Sequence, residues 1–173
     1  MKIRLSLVAV LFLLTSLVAC SLPEKKQTKT TVDTGQTTGN TAKPEHVLTA
    51  KNVYNFLLKK DAKKILFIDV RTPAETERGL PTLVDANVPY TFNRRELNND
   101  FVHSIEERLD EMGLDKQATL LLICHEGNRS ARAIDLLLEQ GYKNVYSVKG
   151  GIVQWKADDL PWSDEPSIEQ MYF

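Results

Sequence analysis

The stretch Thr119-Leu120-Leu121-Leu122-Ile123-Cys124-His125-Glu126-Gly127-Asn128-Arg129-Ser130-Ala131-Arg132-Ala133-Ile134 decides the fold. Its first five residues form a nearly continuous apolar run, the pattern of a strand buried on both faces. From Ser130 the period changes. Ile134, Leu137 and Leu138 fall on one helical face, and Gly141 is a natural stop. A doubly buried strand that feeds a helix through a short polar loop is half of a βαβ crossover, so the sheet it belongs to is parallel.

The same alternation repeats outward from this unit. Ile65-Leu66-Phe67-Ile68-Asp69-Val70 predicts a second buried strand, and Asn144 to Val148 a third. Val84, Ala86 and Val88 alternate before Pro89, which predicts a short strand. Thr49 is placed to cap a helix running to Lys60 with Val53, Phe56 and Leu57 on one face. Ser104-Ile105-Glu106-Glu107 reads as a capping box for a helix carrying Ile105, Leu109 and Met112 and ending at Gly113. Asp100 is a rival cap one turn earlier. Ile152 to Ala157 predicts a short helix. The expected fold class is α/β, with a central, mostly parallel sheet between two helical layers. Chemistry in such sheets sits past the C-terminal strand ends, here Asp69-Val70-Arg71 and Cys124 to Arg129.

The chain has 173 residues and a net charge of −1, with no basic surplus for neutralising phosphates, so no nucleic-acid partner is expected. Two cysteines are too few for a disulfide framework or a four-ligand zinc site, and His46, His103 and His125 lack metal-ligand spacing, so no metal is expected. Met1 to Arg4 is a basic start, followed by an apolar stretch from Leu5 to Ala19. That is short of the ~20 residues of a spanning helix and suits the core of a secretory signal. Its end, Leu17-Val18-Ala19-Cys20, resembles a bacterial lipobox, in which Cys20 is lipidated and becomes the new N-terminus. The alternatives are an ordinary signal peptide with an unrelated cysteine and a retained membrane anchor.

The expected organisation is therefore a lipoprotein signal peptide over 1–19, a lipidated Cys20 and Thr-rich tether over 20–44, one folded domain over 45–162 and a tail over 163–173. Seven of the 24 residues from Ser21 to Pro44 are Thr, and such a segment cannot bury enough surface to order itself. As a coil its ends lie ~27 Å apart. The protein is expected outside the cytoplasm, lipid-anchored to the cell envelope and facing the periplasm. Ser21 is not the Asp that retains lipoproteins at an inner membrane, which favours the outer membrane where there are two.

Cys124 is then the lone thiol of the mature chain. A loop at a helix N-terminus can aim several backbone N–H groups inward, helped by the helix dipole. Gly127 permits a positive φ and Arg129 adds a fixed charge. These features favour a thiolate, the nucleophilic form. The plainer reading is an inert buried cysteine closing a strand. His125 is either a weak acid or base or simply exposed. Glu106, Glu107, Asp110 and Glu111 read as a solvated helix face, and Trp155 and Trp162 as packing residues.

Four ordered motifs resemble the rhodanese (sulfurtransferase) superfamily. They are Asp69-Val70-Arg71-Thr72-Pro73-Ala74-Glu75, the loop Cys124-x-x-Gly127-x-Arg129-Ser130, Gly141-Tyr142-Lys143-Asn144-Val145-Tyr146, and Gly150-Gly151-Ile152-x-x-Trp155 with Leu160-Pro161. The resemblance implies a rhodanese-like fold and a Cys124 persulfide that receives sulfur from a donor such as thiosulfate and passes it to a thiol or cyanide, with no other cofactor. It implies catalytic roles for Cys124 and Arg129. It also implies a substrate-binding loop of His125, Glu126, Gly127, Asn128 and Ser130. Asp69 and Arg71 are read either as a brace for that loop or as part of a structural ion pair, with Arg71 on Glu75. Glu126 departs from the neutral or basic residues usual in such loops and is expected to oppose a doubly negative donor. Gly79 to Pro89 departs from the family's usual Gly-His-Ile stretch, and Tyr90 to Leu97 is expected to form a lip over the site. Dual-specificity phosphatases of this fold place five residues between Cys and Arg; the four here suit a single sulfur better than a phosphate. The alternatives are a docking module that keeps the cysteine and a thiol-redox protein.

Overall fold

A computed structural model describes residues 43–59, 64–93, 95–165 and 167. All lie in the compact unit Thr37–Phe173. The leader, Cys20 and nearly all of the tether lie outside the described residues. Among the described residues no helix is long and apolar enough to cross a membrane.

After a 3-10 turn at Pro44–His46, the elements are β1 (Val47–Leu48), α1 (Ala50–Leu58), β2 (Ile65–Asp69), α2 (Pro73–Thr76), β3 (Leu80–Pro81), β4 (Ala86–Asn87), α3 (Phe101–Glu111), β5 (Thr119–Ile123), α4 (Asn128–Glu139), β6 (Val145–Val148), α5 (Gly151–Ala157) and β7 (Trp162–Ser163). Five strands form one parallel sheet in the order β1-β6-β5-β2-β4, and β3 and β7 form a separate antiparallel ribbon.

Each central strand serves two cores, because successive side chains point to opposite faces. Leu66 and Ile68 of β2, with Leu120 and Leu122 of β5, pack on Phe101, Ile105 and Leu109 of α3 and on Ala133, Ile134 and Leu137 of α4. Ile65 and Phe67, with Leu121 and Ile123, pack on Ala50, Val53 and Leu57 of α1 and on Ile152 and Trp155 of α5. The apolar runs lack a polar face for this reason. Trp155 is fully buried, with its ring 5.6 Å from Phe67 and edge-on to Tyr54. The acidic face of α3 is largely exposed at Glu107, Asp110 and Glu111.

Several local expectations need correction. The capping box at Ser104 does not form. The helix starts at Phe101 with Asp100 at its N-cap, and the Ser104 amide bonds to the Asp100 carbonyl at 2.8 Å. Burial of Phe101, edge-on against Tyr90, stabilises the additional turn. The helix α4 starts at Asn128 rather than Ser130. Val84, Ala86 and Val88 do not share a face: Val84 packs in the α1–α5 core and the other two in the α3–α4 core, while Asn87 between them is buried. The strand there is only Ala86–Asn87. The chain beyond Trp162 is not all tail, because Ser163 pairs with Leu80.

Candidate active site

Cys124 follows the last residue of β5, and Gly127 is the N-cap of α4. The connection Cys124-His125-Glu126-Gly127 is tight, and Gly127 takes φ +100°, which permits the turn. The turn brings the Gly127 amide to 3.1 Å from Cys124 Sγ, where it donates to the sulfur. Ser130, in the first turn of α4, places Oγ 3.5 Å from the same sulfur. Ser130 Oγ donates to the Gly127 carbonyl at 3.0 Å and lies 2.6 Å from Ser147 Oγ on β6. Cys124 is only 1% exposed, so the sulfur sits at the base of the loop.

A second element holds the loop from behind. The Ile152 and Val153 amides of α5 donate to the carbonyls of Cys124 and His125 at 2.8 and 3.1 Å. This approach needs glycine at 151. A Cβ there would stand 2.1 Å from the Cys124 carbonyl oxygen, and the residue takes φ +56°.

The charges pair differently from the expectation. Arg71 binds Asp69, not the Glu75 carboxylate: Nε and Nη2 reach Asp69 oxygens at 2.7–3.0 Å in a buried fork. Burial raises the Asp69 pKa, and the Arg71 hydrogen bonds pull it back. Arg71 Nη2 also donates to the Gly79 carbonyl at 2.8 Å, so the pair braces the 71–79 turn. Neither side chain hydrogen-bonds to Cys124. Glu75 instead takes Arg129 in a bidentate grip at 2.6 and 2.7 Å. The Thr72 amide and hydroxyl both donate to Glu75 Oε2, which orients the carboxylate. Partial burial opposes ionisation of Glu75, but the Arg129 and Thr72 hydrogen bonds outweigh it and hold the pKa at about 2. The Glu75 hydrogen bonds, with the Glu75 charge beside them, outweigh partial burial and raise the Arg129 pKa. Arg129 thus has its fork committed to Glu75.

Two cavities flank Glu75. One, of about 330 Å³, is lined by Arg71, Arg78, His125, Val153, Lys156 and Trp162 among others. Lys156 Nζ lies 3.7 Å from the centre of the Trp162 ring and the Arg71 guanidinium 5.6 Å. Trp162 is therefore the aromatic wall of a cationic cleft as well as a packing residue. The other, of about 780 Å³, is lined by Thr91, Phe92, Asn93, Arg129 and Arg132. Its wall includes part of the expected lip, which is pinned by a Thr91–Leu97 bridge. Glu126 and Asn128 line a third depression with Gly127, Ser147 and Lys149, and the Glu126 carboxylate lies 4.0 Å from Nε2 of His125, which lines the cationic cleft.

Of the residues singled out in the sequence, Gly127 and Ser130 gather around the Cys124 sulfur. Arg129 turns to Glu75, His125 is exposed at the rim of the cationic cleft with the Glu126 carboxylate 4.0 Å from it, and Glu126 and Asn128 line the third depression. Sequence reasoning missed the partners: Glu75 for Arg129, Ser147 for Ser130, Gly151 behind the loop, and Asn87. The Asn87 amide donates to the carbonyls of Asp69 and Arg71 at 2.8 and 2.9 Å. For Glu75 there was a signal, since Thr72-Pro73-Ala74-Glu75 is itself a capping-box pattern with proline at the first helical position.

Comparison with known proteins agrees with this geometry. The chain is 32% identical over 102 residues to a protein named sulfurtransferase from Allochromatium vinosum, covering 58% of this chain and 80% of that one. It is 34% identical over 93 residues to the thiosulfate sulfurtransferase GlpE of Pseudomonas syringae, covering 50% of this chain and 86% of the other. The polysulfide-sulfur transferase homodimer of Wolinella succinogenes superposes with a TM-score of 0.51 at 25% identity, over 75% of this chain and 82% of that one. The model of the rhodanese-like domain matches residues 43–158, and with the parallel sheet and the cysteine loop in place, the chain belongs to the rhodanese-like family.

Proposed function

We propose that this protein is a sulfurtransferase that carries sulfane sulfur as a persulfide on Cys124. The observation that carries the reading is the Cys124 sulfur at the base of a strand-to-helix loop, with the Gly127 amide donating to it at 3.1 Å and Ser130 Oγ lying 3.5 Å away. The Gly127 amide and the positive end of α4 are placed to hold an anion at this sulfur. Family membership and the two relatives named sulfurtransferases support sulfur transfer in general.

In the first half-reaction the Cys124 thiolate attacks the outer sulfur of thiosulfate. A Cys124 S–S bond forms as the bond to the sulfonate sulfur breaks, and sulfite leaves with that electron pair. Cyanide or an acceptor thiolate then attacks the terminal sulfur. Thiocyanate or the acceptor persulfide departs, and Cys124 returns as a thiolate. Donor and acceptor balance, so no external oxidant enters. The cations of the 330 Å³ cleft, which His125 of the loop also lines, support an anionic donor.

The test is thiosulfate-dependent thiocyanate formation by the full chain against Cys124→Ser. The expected loss is on the order of a thousand-fold or more. Intact mass after thiosulfate should show a gain of about 32 Da, one sulfur atom, in the wild type alone. No mass gain and no turnover in folded, reduced protein would sink the reading in favour of a docking module. A mixed disulfide in place of the persulfide would favour thiol-redox chemistry.

We also propose that the protein is exported and held to the cell envelope by lipid on Cys20. The support is the basic start, the short apolar stretch and Leu17-Val18-Ala19-Cys20 at its end.

A further inference from the structure

The cysteine loop rests on a pair of buried hydroxyls from different elements. Ser130 is on α4 and Ser147 on β6; they are 0% and 3% exposed, and their oxygens lie 2.6 Å apart. Each hydroxyl has one proton to give. Ser130 gives its own to the Gly127 carbonyl at 3.0 Å. The bond between the two serines is therefore donated by Ser147, whose hydroxyl has no other partner among the described residues.

This direction has a chemical consequence. With Ser147 filling one lone pair of Ser130 Oγ, the Ser130 proton has two acceptors in reach, the Gly127 carbonyl at 3.0 Å and Cys124 Sγ at 3.5 Å. A neutral thiol is a weak acceptor and can itself donate to Ser130. A thiolate or a persulfide anion is a charge-assisted acceptor. Rotation about the Ser130 Cβ–Oγ bond moves the proton from the carbonyl to the sulfur without moving a heavy atom. The donation from Ser147 persists in both states and makes the Ser130 hydroxyl a better donor.

We propose that Ser147 is a positioning residue that holds the Ser130 hydroxyl ready to donate to the Cys124 sulfur whenever that sulfur is negative. The inference rests on the sulfurtransferase reading only in taking Cys124 as the reacting group.

The experiment is the pH profile of iodoacetamide alkylation in the full chain, read by mass spectrometry of the Cys124 peptide. No sulfur donor is needed, so a failure of sulfur transfer and a failure of the hydroxyl pair are separately visible. Ser147→Ala should lower the alkylation rate near neutrality by about three- to ten-fold, as loss of one hydrogen bond warrants. It should move the midpoint to higher pH and leave the alkaline plateau no lower. Ser147→Thr and Ser147→Val both suit a strand and differ only in the hydroxyl, so they carry the comparison even where Ser147→Ala does not fold. Threonine should restore the wild-type profile and valine should not. Ser130→Ala/Ser147→Ala should be no slower than Ser130→Ala alone, because Ser147 acts through Ser130. The charged groups around the loop are Arg129 on α4, Glu75 on α2, Asp69 and Arg71 at the end of β2, Lys149 after β6, Lys156 on α5, and His125 and Glu126 in the loop. All are identical in these variants. Coincident profiles for Ser147→Thr and Ser147→Val, or single-variant losses that multiply in the double variant, would overturn the proposal.

Discussion

Glu75 joins two parts of the molecule: it closes the first turn of α2 through Thr72 and grips Arg129 of α4 from across the site. Glu75→Gln keeps the shape and removes the charge. The expected cost is about 1–2 kcal/mol in denaturant unfolding, since the pair is only part-buried. The sign of its pH dependence follows from a folded pKa of about 2 against an ordinary 4.5. The unfolded chain binds the proton first as pH falls, so the stabilisation is complete above 4.5 and lost as pH falls through about 2. The wild-type advantage over Glu75→Gln should therefore be the same at neutrality and just above 4.5, and should shrink below it. An advantage that persists unchanged near pH 2 would show that the carboxylate charge is not its source.

At the scale of elements, α5 matters out of proportion to its seven residues, because its N-terminal amides hold the carbonyls of Cys124 and His125. Gly151→Ala puts a Cβ 2.1 Å from the Cys124 oxygen at a φ of +56°. It should cost roughly 2–4 kcal/mol from strain and displacement, and should remove most activity with it. Gly141→Ala is the matched control: its φ is +88°, but nothing lies within 4 Å of the added carbon. It should cost about 1 kcal/mol and leave the reaction intact. Thermal unfolding beside thiocyanate formation separates the two. The elements also show where local patterns mislead. Ser104-Ile105-Glu106-Glu107 has the form of a capping box, yet packing of Phe101 against Tyr90 carries the helix one turn past it. Thr72-Pro73-Ala74-Glu75 has the same form in a less helical context, and there Glu75 does reach back to Thr72.

At the scale of the whole molecule, a domain that faces small anions is proposed to sit on a Thr-rich tether behind a lipidated Cys20. Cys20→Ala should abolish incorporation of labelled fatty acid and leave the apolar leader uncleaved, read as a heavier chain by intact mass, with the specific activity of the folded domain unchanged. A wild-type chain that takes up no labelled fatty acid and keeps the full leader mass would point to an uncleaved apolar anchor instead. The parallel sheet, the identity of its major helices and the cysteine loop were legible in the sequence, because apolar period and a glycine-bearing polar loop between strand and helix are properties of adjacent residues. Cys124, Gly127 and Ser130 were found that way. Their partners were not: Glu75 meets Arg129 across 54 positions and Ser147 meets Ser130 across 17. Asp69, Arg71, Glu75 and Arg129 permit more than one pairing on charge alone. Only the tertiary structure chose among them, because an ion pair or a hydroxyl chain depends on distances that exist once strand ends and helix starts are brought together, and no local period encodes those distances.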